Sequence, residues 1–250
     1  MDAPESSPNP SEVAVLIPAA GKGRRLGGTP KQFRTLGEHP LLVQALLLFE
    51  QHPVVGHVIV AVPSDQVQEV SNRLQAEDPS TLTAVVSGGE HRQASVRHAL
   101  RAVPGSVEIV LVHDAARPFV TGAQVQAVVQ VVRMEGAASL ALPVADTLRR
   151  GEGEVFGETV PRDALYRMQT PQGFRRDWLE EAHRSAAADG VVATDDVALV
   201  QRIGHDVHRV EGHRRNFKIT TPDDWALAQQ LWTAWRTNPE RMNAPPAESA

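Results

Sequence analysis

Short apolar runs alternate with amphipathic stretches along most of the chain. Val13–Pro18 reads as a first strand, and Leu41–Glu50, following Pro40, as a first helix. Val54–Val62 reads as a second strand stopped by Pro63, with Ser64 capping a helix to about Leu74. Leu82–Val86 gives a third strand, then SGGEHR leads into a helix around Ala94–Arg101. Val107–His113 gives a fourth, nearly all apolar, as a strand covered on both faces would be. Thr121 caps the next helix, and Ser139–Val144 is the fifth strand. This order predicts an α/β domain: a mostly parallel, twisted sheet with helices on both faces.

The alternation breaks at Asp146. DTLRRGEGEVFGETVPR holds two short β-prone runs around Gly151-Glu152-Gly153, which predicts a hairpin arm over about 146–162. Such an arm exposes Val155, Phe156 and Val160 and its own strand edges. Exposed edges usually pair with something, which favours a dimer arm over a hairpin folded back on its own domain. Beyond it the pattern predicts a helix near Asp177–Ala187 and a Thr194-capped helix ending at Gly204. Strands at Val207–Val210 and Phe217–Thr220 follow, then a last helix opened by Thr221-Pro222-Asp223-Asp224. One folded domain is expected over 11–236, between Pro/Ala/Glu-rich ends at 1–10 and 237–250 that read as disordered.

Composition narrows the chemistry. The 250 residues include no Cys, so disulfides, thiolate metal sites and a cysteine nucleophile are excluded. The net charge of −5 argues against non-specific nucleic-acid binding. No apolar run approaches the ~20 residues that span a bilayer, and Met1–Pro10 has no leader-like apolar stretch. A cytoplasmic protein with neither nucleic-acid nor membrane partners is expected. Of the 25 basic residues only Lys22, Lys31 and Lys218 are lysines, which singles them out as places for a compact point charge.

Five segments carry candidate chemistry. PAAGKGRRL, directly after the first strand, joins small residues that admit a ligand close to the backbone with Lys22, Arg24, Arg25 and, nearby, Lys31. A polyphosphate is the natural counter-charge. It is not a P-loop, which needs four residues between its glycines and then Lys-Ser/Thr. Nor is it a dinucleotide fingerprint, since Leu26 stands where a third glycine belongs. SGGEHRQAS exposes backbone and offers Glu90 and Ser95 to a base. VHDAARP ends the fourth strand, where Asp114 could place a metal or sugar hydroxyl and Arg117 could meet an anion. QTPQGF and NFKITTPDD complete the set; Asp223-Asp224 in the latter reads as helix capping rather than a metal site. His205 and His208 fall three apart on an expected strand, on opposite faces, which argues against a shared metal.

In this order LIPAAGKGRRL, PKQF, VSGGEHRQAS, VHDAARPFV, ALPVADTL, QTPQGF, ATDDVALV and NFKITTPDDWALA resemble the 2-C-methyl-D-erythritol 4-phosphate cytidylyltransferase family over about residues 13–230. The resemblance implies a three-layer αβα, Rossmann-like nucleotidyltransferase domain and a homodimer built through the arm. CTP and 2-C-methyl-D-erythritol 4-phosphate are the implied substrates, with Mg²⁺ or another divalent cation as cofactor. It assigns Arg25 and Lys31 to the transition state at the α-phosphate, and Arg162 and Lys218 to holding the acceptor. Pro18, Ala19, Ala20, Gly21, Gly23, Arg24, Gly89, Glu90, Ser95, Asp114 and Ala115 fall to CTP, with Asp114 also a metal candidate. Arg117, Thr147, Thr170 and Thr194 fall to the acceptor, Thr147 and Arg162 reaching across the dimer. Glu90 departs from the family's common Asp by one methylene, the interval from Leu26 to Lys31 is short, and Arg215 stands where some relatives carry an acid. A cytidylyltransferase for ribitol 5-phosphate, a UTP- or GTP-using pyrophosphorylase, or a non-catalytic nucleotide-binding module are the alternatives.

Overall fold

The computed structural model describes residues 12–21, 30–238 and 241. In chain order its elements are β1 (Val13–Pro18), β2 (Thr35–Leu36), β3 (His39–Pro40), α1 (Leu41–Glu50), β4 (His57–Val62), α2 (Val67–Gln75), β5 (Leu82–Ser87) and α3 (Arg92–Leu100). Then come β6 (Ile109–Val112), α4 (Gly122–Glu135), β7 (Ala137–Pro143), β8 (Leu148–Glu152), β9 (Val155–Val160) and β10 (Tyr166–Arg175). The chain continues through α5 (Arg176–Ala188), α6 (Asp196–Arg202), β11 (His208–Glu211) and α7 (Pro222–Trp235).

Seven strands form one sheet in the order β5–β4–β1–β6–β10–β7–β11. Every pairing is parallel except those of β10, which runs antiparallel to β6 and β7. Strand periodicity sorts the apolar side chains into two layers. Val13, Val15 and Ile17 of β1 join Val58, Val60 and Val62 of β4 against α1, α2 and α4. Ala14, Leu16, Ile59 and Ala61 join the opposite core, with α3, α5 and α6. A smaller cluster sets Trp232 and Trp235 of α7 against Leu36, Leu41, Phe119 and Ile219. The three-layer α/β architecture predicted above is therefore present.

Local signals set several element ends. Thr121 accepts the amide of Gln124 at 3.2 Å while Gln124 accepts that of Thr121 at 3.1 Å, closing a capping box on α4. Thr221 and Asp224 do the same for α7, as the capping reading of that acid expects. Gly136 ends α4 at φ +86°. A Cβ there would also fall 2.2 Å from the Trp178 ring, so both backbone and packing demand glycine.

Other expectations need correction. The second strand starts at His57, because Val54 and Val55 are buried in the preceding turn, where Val55 donates to the His52 carbonyl. Ser64 does not cap α2: Ser64–Gln66 forms a 3-10 turn, and α2 begins after Gln66 with no side-chain cap. The next-to-last helix is capped by Asp195, whose carboxylate accepts the Ala198 amide at 3.1 Å, and not by Thr194. An anionic acceptor fits the positive end of a helix better than a hydroxyl. The expected strand at Phe217–Thr220 does not form; the Ile219 amide bonds the Ala116 carbonyl at 2.9 Å instead.

The largest omission is β10. Its sequence, YRMQTPQGFR, is mostly polar and carries Pro171, and proline argues against an interior strand. The sheet accommodates it by a register shift against β7 between Met168 and Gln172. His205 precedes β11 and stacks on Trp178, centroids 3.7 Å apart, while His208 faces Glu135 at 3.6 Å. The two histidines are therefore in different settings. The hairpin is as expected: β8 and β9 pair only with each other, turning at Gly153 (φ +60°). Val155 and Phe156 on it are 70% and 81% exposed.

Candidate active site

The order of strands reverses at β1. The chain leaves β1 for β4 and β5 on one side, then crosses back through α3 to β6 on the other. Crevices at the carboxyl ends of strands beside such a reversal bind ligands in open α/β sheets. Here the crevice is a cleft walled by Pro18, Ala19, Ala20 and Gly21 after β1 and by Gly89, Glu90, His91, Arg92 and Ser95 at the start of α3. Asp114, Ala115 and Ala116 after β6 close its floor, with Lys31, Gln32 and Lys218 on the remaining side.

Backbone contacts shape each wall. Gln32 donates to the carbonyls of Ala19 and Gly21 at 2.8 and 3.0 Å, holding the turn after β1. Ser95 accepts the Gly89 amide at 3.0 Å and donates to the His91 carbonyl at 3.1 Å, folding the glycine turn onto α3. No side chain caps that helix, so its first turn opens on the cleft with backbone donors suited to an anion. Lys31 Nζ donates to the Ile219 carbonyl at 3.1 Å, which brings Lys31 beside the Lys218 segment from the far end of the chain.

The centre of the site is a chain of charges. Lys218 Nζ lies 2.7 Å from Asp114 Oδ2, and Arg92 Nε lies 3.1 Å from Asp114 Oδ1. Arg92 Nη1 reaches Asp196 Oδ2 at 2.6 Å, and Asp196 Oδ1 meets His183 Nε2 at 2.9 Å. Burial works to raise the Asp114 carboxyl, yet Arg92 and then Lys218 hold it well below the usual carboxylate range. Burial likewise opposes the charges of Asp196 and Arg92; their mutual attraction overcomes it, lowering the first and raising the second. Gln172 braces the same corner, donating to Asp195 at 3.1 Å and accepting the Asp196 amide at 3.2 Å.

Of the expected site residues, Pro18, Ala19, Ala20, Gly21, Lys31, Gly89, Glu90, Ser95, Asp114, Ala115 and Lys218 converge on this cleft. Gly23, Arg24 and Arg25 lie outside the described residues, as do Lys22 and Leu26. Arg117 turns to the backbone, donating to the carbonyls of Asn216 at 2.8 Å and Met168 at 3.1 Å. Thr170 is buried behind Asp114 and accepts its amide at 3.1 Å. Thr147 and Arg162 stand exposed at the base of the hairpin, where Arg162 bonds the Ala145 carbonyl, and Thr194 is exposed before α6. None of these last five residues lines the cleft of its own chain.

Arg92, Gln172, His183 and Asp196 went unassigned in the sequence. Arg92 and Asp196 lie within the SGGEHRQAS and ATDDVALV stretches, and His183 within the helix expected near Asp177–Ala187. Nothing short of the fold shows that they meet. Among the described residues, no group of three or more His, Asp or Glu side chains could hold a metal ion. Asp114 retains unused lone pairs beside its two cations. A single carboxylate of this kind fits Mg²⁺, which is usually held by substrate phosphates, waters and one or two carboxylates.

Comparison with known proteins shows the family. The pattern of the 2-C-methyl-D-erythritol 4-phosphate cytidylyltransferase family matches residues 13–234. A protein of that name from Salinibacter ruber is 71% identical over 231 residues, covering 92% of this chain and 97% of the relative. One from Deinococcus radiodurans is 45% identical, covering 92% and 93%. The crystal structure of the Thermus thermophilus protein superposes with a TM-score of 0.75 at 42% identity, covering 89% of this chain and 99% of that one.

Proposed function

Because the chain belongs to the 2-C-methyl-D-erythritol 4-phosphate cytidylyltransferase family, we propose that the cleft between β1 and β6 is where it carries out that family's reaction, with the residue roles given below. The enzyme is a nucleotidyltransferase that transfers CMP from CTP to 2-C-methyl-D-erythritol 4-phosphate, giving CDP-methylerythritol and pyrophosphate. The observation that carries the assignment to this cleft is the pairing of Lys218 and Arg92 with the Asp114 carboxylate, with Lys31 lining the same cleft beside the Lys218 segment.

In the proposed reaction an acceptor phosphate oxygen attacks the α-phosphorus of CTP in line. The new P–O bond forms as the bond to the pyrophosphate leaving group breaks. Near neutral pH that oxygen is already anionic, so no general base is required. The barrier is the approach of two anions and the charge of the transition state. Lys31, with Arg25, stabilises that charge; Lys218 and Arg162 hold the acceptor phosphate. Gly89, Glu90 and Ser95 present backbone and polar edges to the cytosine, and the small side chains of Ala19 and Ala20 leave room for it. Asp114 keeps Lys218 aimed into the cleft and would be the protein carboxylate next to Mg²⁺. When bound, that ion neutralises phosphate oxygens and the departing pyrophosphate.

Thr147 and Arg162 stand at the base of a hairpin whose tip exposes Val155 and Phe156. A homodimer in which each hairpin serves the other chain's cleft accounts for their distance from their own. Among the described residues no helix is long and apolar enough to cross a membrane.

The test is pyrophosphate release with CTP, Mg²⁺ and 2-C-methyl-D-erythritol 4-phosphate, run beside ribitol 5-phosphate and UTP. Release with the first pair alone supports the reading. Equal release with UTP overturns the cytosine assignment, and release only with ribitol 5-phosphate overturns the acceptor.

A further inference from the structure

His113 opens the HDAARP turn, has no part in the chemistry above, and is fully buried. Its ring stands edge-on to Phe49, centroids 5.1 Å apart at 72°. Each ring nitrogen has a neighbour: Nε2 lies 3.1 Å from the Arg117 carbonyl oxygen, and Nδ1 lies 3.2 Å from Thr170 Oγ1. A carbonyl only accepts, so Nε2 carries a proton. In the neutral ring Nδ1 is then bare and accepts the Thr170 hydroxyl proton. Thr170 Oγ1 accepts the Asp114 amide at 3.1 Å. The run Asp114 N–H to Thr170 O–H to His113 Nδ1 therefore has a single direction.

This arrangement leaves the Thr170 hydroxyl no proton to donate to a ligand, and one open lone pair. Its one proton goes to His113, and a lone pair takes the Asp114 amide. The carbonyl of Thr170 is engaged too, by Asn216 Nδ2 at 2.9 Å, and the residue is not part of the cleft wall. The family resemblance would put Thr170 on the acceptor; the hydrogen bonds put it on the protein.

We propose that His113 and Thr170 are positioning residues: the Nε2-protonated ring orients the Thr170 hydroxyl to hold the Asp114 backbone, and thereby its carboxylate between Arg92 and Lys218. The proposal rests on the cleft being the CTP site. It makes the Arg117 turn, Asp114 and β10 one unit, joined through a side chain that contacts neither substrate.

Thr170→Val removes the hydroxyl at nearly constant shape, Thr170→Ser keeps it, and His113→Phe removes both ring contacts. Thr170→Val and His113→Phe should each lower kcat/KM by roughly 10- to 100-fold, the scale for a slight misplacement of reacting groups. Thr170→Ser should restore most of the rate. The double variant should be no worse than the worse single, since both act through one contact. CTP binding without acceptor, measured by calorimetry, should weaken in Thr170→Val. If Thr170→Val instead raises only the acceptor KM, with CTP binding unchanged and His113→Phe adding independently, Thr170 is a direct ligand and the proposal fails. Should His113→Phe not fold, ¹⁵N-histidine NMR of the unaltered enzyme still decides. A neutral His113 ring with its proton on Nε2 is expected, and a proton on Nδ1 overturns the proposal. That spectrum reads hydrogen-bond direction whether or not the cleft turns over CTP, so it separates this failure from failure of the functional reading.

Discussion

Lys218 Nζ sits 2.7 Å from one oxygen of Asp114, and Arg92 Nε sits 3.1 Å from the other. One buried carboxylate thus holds together two cations from distant parts of the chain. Replacing it by a neutral amide leaves Lys218 without its carboxylate partner and Arg92 with Asp196 alone. Asp114→Asn should lower kcat/KM by roughly 10²–10³, the range for losing a preorganised charge in a site. Steady-state pyrophosphate release, with circular dichroism as a folding control, checks this. Unchanged kinetics would remove Asp114 from the mechanism.

The buried histidines predict how stability responds to acid. Burial lowers the His113 pKa from 6.5 to about 4, and it lowers that of His52 as well. Between those two values the unfolded chain binds a proton that the folded chain at His113 does not. Stability is then fully present above about pH 6.5 and falls as pH drops toward 4, by on the order of 3 kcal/mol for His113. Asp114 and Asp196, whose folded pKa values are depressed, stabilise above the ordinary carboxyl range and lose this only as pH falls through their lower folded values. Urea denaturation at pH 7 and 4.5 measures the difference, and His113→Phe should flatten it. A flat profile in the unaltered protein would contradict a buried neutral His113.

Phe156, 81% exposed on a hairpin that pairs only with itself, predicts a partner. Sedimentation should show a dimer, and Phe156→Asp should shift it to monomer and reduce activity. Mixed dimers of Arg162→Ala and Lys218→Ala chains should regain activity that neither homodimer has. A monomeric active enzyme, or confirmed heterodimers without rescue, would argue against shared sites.

Gly136 combines a left-handed backbone with a Trp178 ring lying over it. Gly136→Ala should destabilise by roughly 2–4 kcal/mol, summing the conformational penalty and overpacking. Kinetics of the residual folded enzyme should change little, because Gly136 is not among the residues that line the cleft. A denaturation midpoint within error of the unaltered protein would refute the clash.

Several elements were legible because their causes are local. β1 and α1 have the limits that hydropathy and Pro40 predict, and Thr121 and Thr221 cap as their spacing to Gln124 and Asp224 requires. Ser64 and Thr194 misled for a related reason: each is a good cap in isolation, but a 3-10 turn and the neighbouring Asp195 took precedence. β10 was hidden because it is mostly polar and carries Pro171, while its pairing with β6 and β7 comes from outside the segment.

The same division holds for the whole molecule. Periodicity, caps and turn glycines act within a few residues, so the amino-acid order alone determined the α/β character, the arm and the polyphosphate-suited turns after the strands. Those turns follow β1, β5 and β6, and a parallel sheet necessarily gathers such ends on one edge. Tertiary structure decided where β10 inserts, that Arg117 and Thr170 face the protein, and that Arg92, Asp196 and His183 stand behind Asp114. Those outcomes depend on burial. A charge taken from water must find its partner wherever the fold brings one, and no local spacing records which partner that will be.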